Sequence, residues 1–553
     1  MGTLSLSRRY FPIFLTAIFL IFGIIGMAHH EMWRDELQAW LIARDSSSLP
    51  DLIRNMRYEG HPALWHLLLY VLTRFTHNPI AMQFLHLLIG TLSVFLVAKY
   101  SPFTRLQKFL ITFGYFSLYE YLVISRNYAL GVLLICLTCC LYPQRFQRPF
   151  LFLFILGLLA NTSFHSWIIS VSWAIAFVIE YRFGSGNDLS IKHRKYLPSM
   201  QLGFILGSIF YLIAIITAFL LVRPPQDRYR GVGGVDLQPN FEHFLRSISA
   251  IWRSYFPLSQ FQEQFWSSNF LVGRIGSDIH YLSQGIALVM VLIILGLVAT
   301  TLFKLSKTSL LIYGLGTSLL FAFTYAKFLG GLRHHGHFYI LLLACVWIAL
   351  LDIKPKKIPK KIDVGEENGK DKRLFFQNTD HRAKVVQMLF TLLLSVQFLA
   401  TLWPYATDLR LPFTMNQIAS QYLADYIQNY DRGELIVAGY QIPSTSAFSA
   451  RLNIPLYYPQ MKSYGSFMIW TKEYNQEIED KEIFRHLAEL ILQREKDCVL
   501  ISDEKIGLKP FRDSAYQDQI KVSLLEEFTG SIVESEHFFI YGIQRRNMLV
   551  DAP

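Results

Sequence analysis

Charge is scarce in this chain. Only 17% of its 553 residues are Asp, Glu, Lys or Arg, where a soluble globular chain carries about a quarter. That shortfall excludes an ordinary soluble domain. Cysteine is scarce as well. Of five, Cys136, Cys139, Cys140 and Cys345 sit in apolar runs and Cys498 stands alone near the C-terminus. No disulfide framework can be built from that set. Cys136 and Cys139 have the CxxC spacing, but no second pair accompanies them, so they read as packing residues of a helix. No internal repeat of solenoid period is present. The run Gly231-Val232-Gly233-Gly234 lacks a preceding strand and a lysine at the offset a phosphate loop requires.

What is abundant is apolar surface. Hydrophobic residues make up 52% of the chain and aromatics 15%, and they cluster into runs of membrane-spanning length. Backbone groups in lipid must bond within their own segment, which leaves helices as the spanning elements. The expected class is therefore an α-helical polytopic membrane protein. Spans are predicted at 10–28, 80–99, 109–124, 128–142, 149–164, 167–182, 201–222, 281–303, 308–327, 337–353 and 386–405, about eleven in all.

Arg8-Arg9 precedes the first run, which is too long for a signal peptide and lacks a small-residue cleavage site. It is expected to stay as an uncleaved first span with a cytoplasmic N-terminus. The following inside segments 100–108, 143–148, 183–200, 304–307 and 354–385 are then all net basic, as cytoplasmic loops are. This accounts for much of the net charge of +11 without nucleic acid. The basic stretch Lys354 to Lys384 falls between two spans and reads as a cytoplasmic loop. The predicted location is the plasma (inner) membrane.

The other face receives 29–79, the turns near 125–127 and 165, the loop 223–280, the turn 328–336 and the tail. Residues 61–74 are apolar but too short to span, which suits an interfacial helix. The loop 223–280 carries Trp252, Tyr255, Phe256, Phe261, Phe265 and Trp266, and is expected to lie in the membrane interface. After Trp403-Pro404 the composition changes. Helix-like stretches at 413–429 and 472–495 alternate with strand-like runs at 434–440, 498–502, 520–526 and 537–543. The expected organisation is a membrane domain, 1–405, and an extracytoplasmic (periplasmic) α/β domain, 406–553.

Four polar groups interrupt the apolar runs, and the threading places all four on the outer face. The first is Asp35-Glu36, closely followed by Glu59-Gly60-His61-Pro62. The second is Arg126, in the run Tyr121 to Leu130, with Glu120 just ahead. The third is His165. The fourth is Arg333-His334-His335-Gly336-His337. Taken singly, Arg126 could snorkel, His165 could be a hydrogen-bonded core histidine, and the Arg333 cluster could be a solvated turn. Independent residues have no reason to choose one leaflet, and the coincidence favours a site. Arginine grips phosphate with a planar fork, and a carboxylate accepts a proton from an attacking hydroxyl. His334, His335 and His337 are too crowded to face one zinc ion together. A divalent cation shared with Asp35 or Glu36 stays open, and no other cofactor is indicated.

These residues resemble the GT-C membrane glycosyltransferases, most of all the branch of protein O-mannosyltransferases and aminoarabinose transferases. The resemblance rests on three features across 10–350. They are the acidic pair after the first span, the run Gly60-His61-Pro62-Ala63-Leu64-Trp65, and the match of Tyr121, Arg126, Tyr128, Ala129 and Leu130 to the family's motif at the end of the third span. Val123-Ile124 replaces the Gln-Glu of that motif. The resemblance implies inverting transfer of a sugar from a polyprenyl-phosphate donor to a hydroxyl acceptor (protein, lipid or polysaccharide) on the outer face. Asp35 would be the general base and Glu36 its helper, with Arg126 and Arg333 on the donor phosphate. Glu59, His61, Tyr128, His165, His334 and His337 would be further substrate contacts. The loop 223–280 would close over the site. The rival reading is a transporter or flippase of a lipid-linked or anionic solute. Such proteins place their charges nearer the midplane, often on repeated halves.

Overall fold

In the computed structural model the described residues are 2–183, 198–228, 240–274, 280–352, 381–471, 474, 478–507 and 516–546. The Gly231–Gly234 run and most of the basic segments 183–200 and 354–385 lie outside them. The helices are α1 (Gly2–His29), α2 (Arg34–Asp45), α3 (Leu49–Met56), α4 (Leu64–Thr73), α5 (Ile80–Tyr100), α6 (Arg105–Thr112), α7 (Tyr128–Leu141), α8 (Pro149–Ala160), α9 (Phe164–Phe183), α10 (Pro198–Val222), α11 (Phe241–Tyr255), α12 (Tyr281–Leu305), α13 (Lys307–Ala326), α14 (Leu332–Asp352) and α15 (His381–Asp408). A π-helix, Tyr115–Val123, lies between α6 and α7. Among the described residues, eight helices are long and apolar enough to cross a membrane: α1, α5, α9, α10 and α12 to α15. The chain is an integral, α-helical polytopic membrane protein.

The other three predicted spans are built from shorter pieces, and one of them is corrected. Segment 109–124 is not a continuous helix. It breaks at Phe113-Gly114 and continues as the π-helix, a wider coil that is frequent at functional sites. Span ten also begins earlier than expected, at Leu332 rather than 337. Arg333, His334 and His335 therefore occupy the first turn of a helix, not a loop. His165 likewise sits in the first turn of α9.

α14 is the axis of the bundle. Its apolar window is 83% buried, against 17% for α10 and α12, which read as peripheral, lipid-facing helices. Gly336 lets the π-helix approach that axis. A Cβ there would run into Tyr121 Oη and the Phe116 ring. The described part of 223–280 buries part of its aromatic set. α11 packs against α12, α13 and α14, burying Trp252 and Tyr255, and Phe265 beyond it is buried too, while Phe261 stays exposed. Apolar residues on one face of an amphipathic helix found a protein surface instead of lipid.

α15 runs to Asp408, a few residues past the expected boundary, and leads into the C-terminal domain. There α16 (Asn416–Gln428), α17 (Ile442–Leu452) and α18 (Asp480–Arg494) cover a mixed sheet. Its strands are β1 (Leu435–Gly439), β2 (Leu456–Tyr458), β3 (Ser463–Gly465), β4 (Asp497–Ser502), β5 (Ile520–Phe528) and β6 (Phe538–Arg545), in the order β3-β2-β1-β4-β6-β5. β1 runs parallel to β2 and β4, and the outer pairings are antiparallel. The two-residue period of a strand divides the core. Ile436, Ala438, Cys498 and Leu500 meet α18 on one face. Val437, Val499 and Ile501 meet α16 and α17 on the other.

This domain is seated on α2. Gln38 exchanges a reciprocal pair of bonds with the Met468 backbone, at 2.7 and 3.0 Å. Arg44 donates to Ser449 O at 3.2 Å and to Asn453 Oδ1 at 3.1 Å. Leu37, Trp40, Leu41 and Ile42 of α2 are fully buried where α2 packs between α4 and α17, and burial of such side chains stabilises by about 1.5–3 kcal/mol each.

Candidate functional site

The site begins where α1 ends. Trp33 turns the chain and caps α2, whose first turn carries Asp35 and Glu36. Two carboxylates there complement the positive end of the helix dipole, and their side chains then diverge. Glu36 turns inward and is fully buried. Its Oε2 accepts the Trp33 N–H at 3.1 Å, and its Oε1 accepts the Ser125 N–H at 2.6 Å. Ser125 lies in the break between the π-helix and α7, where amides lack helical partners. Glu36 supplies one.

Behind Glu36 lies His30, with Nε2 at 3.1 Å from Glu36 Oε2 and Nδ1 at 2.9 Å from Asp408 Oδ2. Burial disfavours the imidazolium, but Asp408 and Glu36 outweigh it and push His30 up to about 10. A cation between two carboxylates thus ties together the end of α1, the start of α2 and the end of α15. The sequence reading missed this staple. Its members lie as far apart as 378 positions, and only the adjacency of His30 to the acidic run hinted at it.

Asp35 turns outward. Its Oδ2 lies 3.2 Å from Arg126 Nη1 and 3.0 Å from Arg333 Nη2. Arg126 also donates to the Asp35 carbonyl at 2.5 Å. Among the described residues Asp35 Oδ1 accepts no hydrogen bond, and the side chain is 29% exposed. Burial opposes the charged form, but Arg126 and Arg333 prevail and hold the carboxyl below its usual range. The Arg333 guanidinium lies 5.2 Å from the Trp33 ring and 5.5 Å from that of Trp266, within cation–π range. The two indoles meet edge to face at 4.6 Å, and Phe413, from the segment entering the C-terminal domain, packs on Trp266 at 5.4 Å. This aromatic cage was also missed, because no spacing rule links residues 33, 266 and 413.

A second group surrounds Tyr128. His334 Nδ1 accepts the Gly331 N–H at 2.9 Å. A neutral imidazole then carries its proton on Nε2, which lies 2.9 Å from Tyr128 Oη. His61 and His337 lie 6.4 and 5.5 Å from the Tyr128 ring. His165 stacks on His337 at 4.9 Å and lies 5.2 Å from His334. His337 Nδ1 donates to His334 O at 2.9 Å. Glu59, which follows the short helix α3, accepts from Gln38 at 2.9 Å. Burial, outweighing that bond and the nearby Arg126, raises its carboxyl to about 7. His61 follows Gly60, whose φ of +69° only glycine adopts readily. Burial, then Arg126, depresses its imidazole to about 3.

No protein-family model matches the chain and no curated protein matches it. A solved structure does. ArnT from Cupriavidus metallidurans bound to undecaprenyl phosphate is similar over 98% of this chain and 99% of that one, with a TM-score of 0.46 and 12% identity.

The structure thus gathers Asp35, Arg126 and Arg333 directly, and His61, Tyr128, His165, His334 and His337 beside them. Glu36 is adjacent but enclosed, and Glu59 borders the group. Glu120 lies in the π-helix, buried, with Oε2 accepting the Tyr115 hydroxyl at 2.7 Å. His335 faces another way, bonding Leu329 O at 2.8 Å. The residues do not fit a divalent cation. Among the described residues no three His, Cys, Asp or Glu side chains converge on a common point, and Asp35 is taken by two arginines. Behind Tyr121 a narrow apolar hollow runs between α5, the π-helix, α7 and α14. Its lining extends from Ala129 to Cys139 along α7, roughly 15 Å at helical rise.

Proposed function

We propose that this chain is a GT-C-type glycosyltransferase of the membrane's outer face, moving a sugar from a polyprenyl-phosphate carrier to a hydroxyl acceptor with inversion. One observation carries the reading: a part-exposed carboxylate holds two guanidiniums on one oxygen and keeps the other oxygen unbonded. The donor's phosphate takes Arg126 and Arg333, and its isoprenoid chain follows the apolar hollow behind Tyr121. The acceptor hydroxyl lies on Asp35 Oδ1. Its oxygen attacks the anomeric carbon from the face opposite the phosphate. The bond from that carbon to the phosphate oxygen breaks, and the acceptor proton passes to Asp35. Negative charge grows on the leaving phosphate, where the two arginines stabilise it, the term that usually dominates such steps.

The arginines also govern the base. While they sit on Asp35 its proton affinity is low. As they turn to the phosphate that affinity rises, so the base strengthens only when donor is bound. Glu36 and His30 act as positioning residues that hold α2 against the break before Arg126. Trp266, beyond α11, and Phe413, at the entry to the C-terminal domain, wall the Arg333 side of the site, which keeps water from competing with the acceptor.

The test is incubation of the purified protein with a radiolabelled polyprenyl-phosphate sugar. Release of the lipid phosphate with loss of the sugar, abolished in Arg126→Ala, supports the enzyme. Binding without turnover supports the transporter reading instead.

A further inference from the structure

Three buried polar atoms around Arg333 lack partners among the described residues. Arg333 gives Nη2 to Asp35 at 3.0 Å, but its Nε is buried and bonds nothing. Glu120 is 1% exposed and accepts the Tyr115 hydroxyl on Oε2, while its Oε1 is buried and unpartnered. The same holds for the indole Nε1 of Trp266. Contacts on both sides of Glu120 bring the three residues together. Tyr121, the next residue, donates its hydroxyl to Arg333 O at 2.7 Å. Tyr119, the preceding one, packs at 5.9 Å on Phe265, the chain neighbour of Trp266. The Arg333 guanidinium in turn lies 5.5 Å from the Trp266 ring. Arg333 and Trp266 are thus near enough to act on the Glu120 carboxyl.

We propose that Glu120 is a positioning residue for Arg333: its free oxygen takes the Nε–H as the guanidinium turns from Asp35 to the donor phosphate, so that both terminal nitrogens meet the phosphate together. The proposal rests on the glycosyltransferase reading and adds a residue to the phosphate grip. A guanidinium is planar and rigid, so fixing Nε fixes the fork that the phosphate receives. A buried carboxylate needs a cation and further hydrogen bonds to offset its lost hydration. Arg333, Tyr115 and the Trp266 N–H supply them. Arg333 then answers to two carboxylates of opposite effect. Asp35 competes with the phosphate for Nη2, whereas Glu120 leaves the terminal nitrogens free and aims them.

Glu120→Gln keeps the size of the side chain and an acceptor oxygen, and removes the charge. Radiolabelled bare undecaprenyl phosphate is titrated onto the full-length protein in nanodiscs, as wild type, Glu120→Gln, Glu120→Ala, Arg333→Ala and Glu120→Gln with Arg333→Ala, with melting temperatures measured beside. Charge repulsion by itself would make the lipid bind tighter once the carboxylate is gone. Positioning makes it bind weaker. The expected loss is about three- to tenfold in Glu120→Gln, the difference between a charged and a neutral acceptor. It should be larger in Glu120→Ala and absent in the Arg333→Ala background. Unchanged or tighter binding in Glu120→Gln would overturn the proposal. So would an equal loss with and without Arg333, the mark of a merely structural role. Bare-lipid binding that stays intact in both Arg126→Ala and Arg333→Ala would remove the phosphate site itself, and the parent reading with it.

Discussion

In the proposed mechanism Asp35 and the donor phosphate compete for the same two arginines, and this makes an unusual prediction for Asp35→Asn. The amide keeps the size of the side chain and removes its charge. Without the carboxylate on Oδ1, no base receives the acceptor proton, so turnover should fall by at least about a hundredfold. Lipid binding should move the other way. The pairs at 3.2 and 3.0 Å join groups 12–29% exposed. Partly solvated pairs of this kind stabilise by about 0.2–1 kcal/mol each. Releasing both frees up to about 2 kcal/mol, so undecaprenyl phosphate should bind a few-fold to about thirtyfold tighter. The assay is radiolabelled-lipid binding to the variant in nanodiscs, run beside single-turnover transfer. Weaker lipid binding in Asp35→Asn would refute the competition, and undiminished turnover would remove Asp35 as the base.

Three further outcomes are expected. His30 is raised in the folded protein, so its stabilising effect is complete below its ordinary value near 6.5 and is lost as pH rises through about 10; melting temperature should fall over that window, and His30→Gln should flatten the dependence while costing about 3–5 kcal/mol of stability at pH 7. Gly336→Ala places a methyl against Tyr121 Oη and Phe116, and should lower stability by about 1–3 kcal/mol and reduce transfer, because the π-helix that leads to Arg126 must shift; an unchanged melting temperature would contradict that packing. Gln38→Ala breaks the reciprocal bond with Met468, and limited proteolysis should then release the C-terminal domain several-fold faster than in the wild type.

Much of the fold was legible because lipid leaves the chain few options. Apolar runs of spanning length located the helices to within a few residues, and short runs rich in β-branched, aliphatic and aromatic residues located four of the six C-terminal strands. β2 and β3, three residues each, carry too few positions for any period to register. The π-helix was illegible for another reason: its sequence is as apolar and aromatic as a regular span, and only its packing on Gly336 and the break closed by Glu36 set its form. Within the site, Asp35, Arg126 and Arg333 stood out because charge is costly beside a membrane. Trp33, Trp266, His30 and Asp408 did not, since aromatic and polar residues at a membrane boundary are common.

By itself, the order of apolar runs and charges determined that this chain crosses a membrane many times and singled out polar groups, among them Asp35, Arg126 and Arg333, that the fold brings together. The division of labour within the acidic pair was decided only by tertiary structure. Asp35 and Glu36 are neighbours of the same chemistry in one helical turn, and nothing local distinguishes them. Across that turn their side chains point in different directions, one toward two arginines and open space, the other toward the amides and the imidazolium that hold the helix in place.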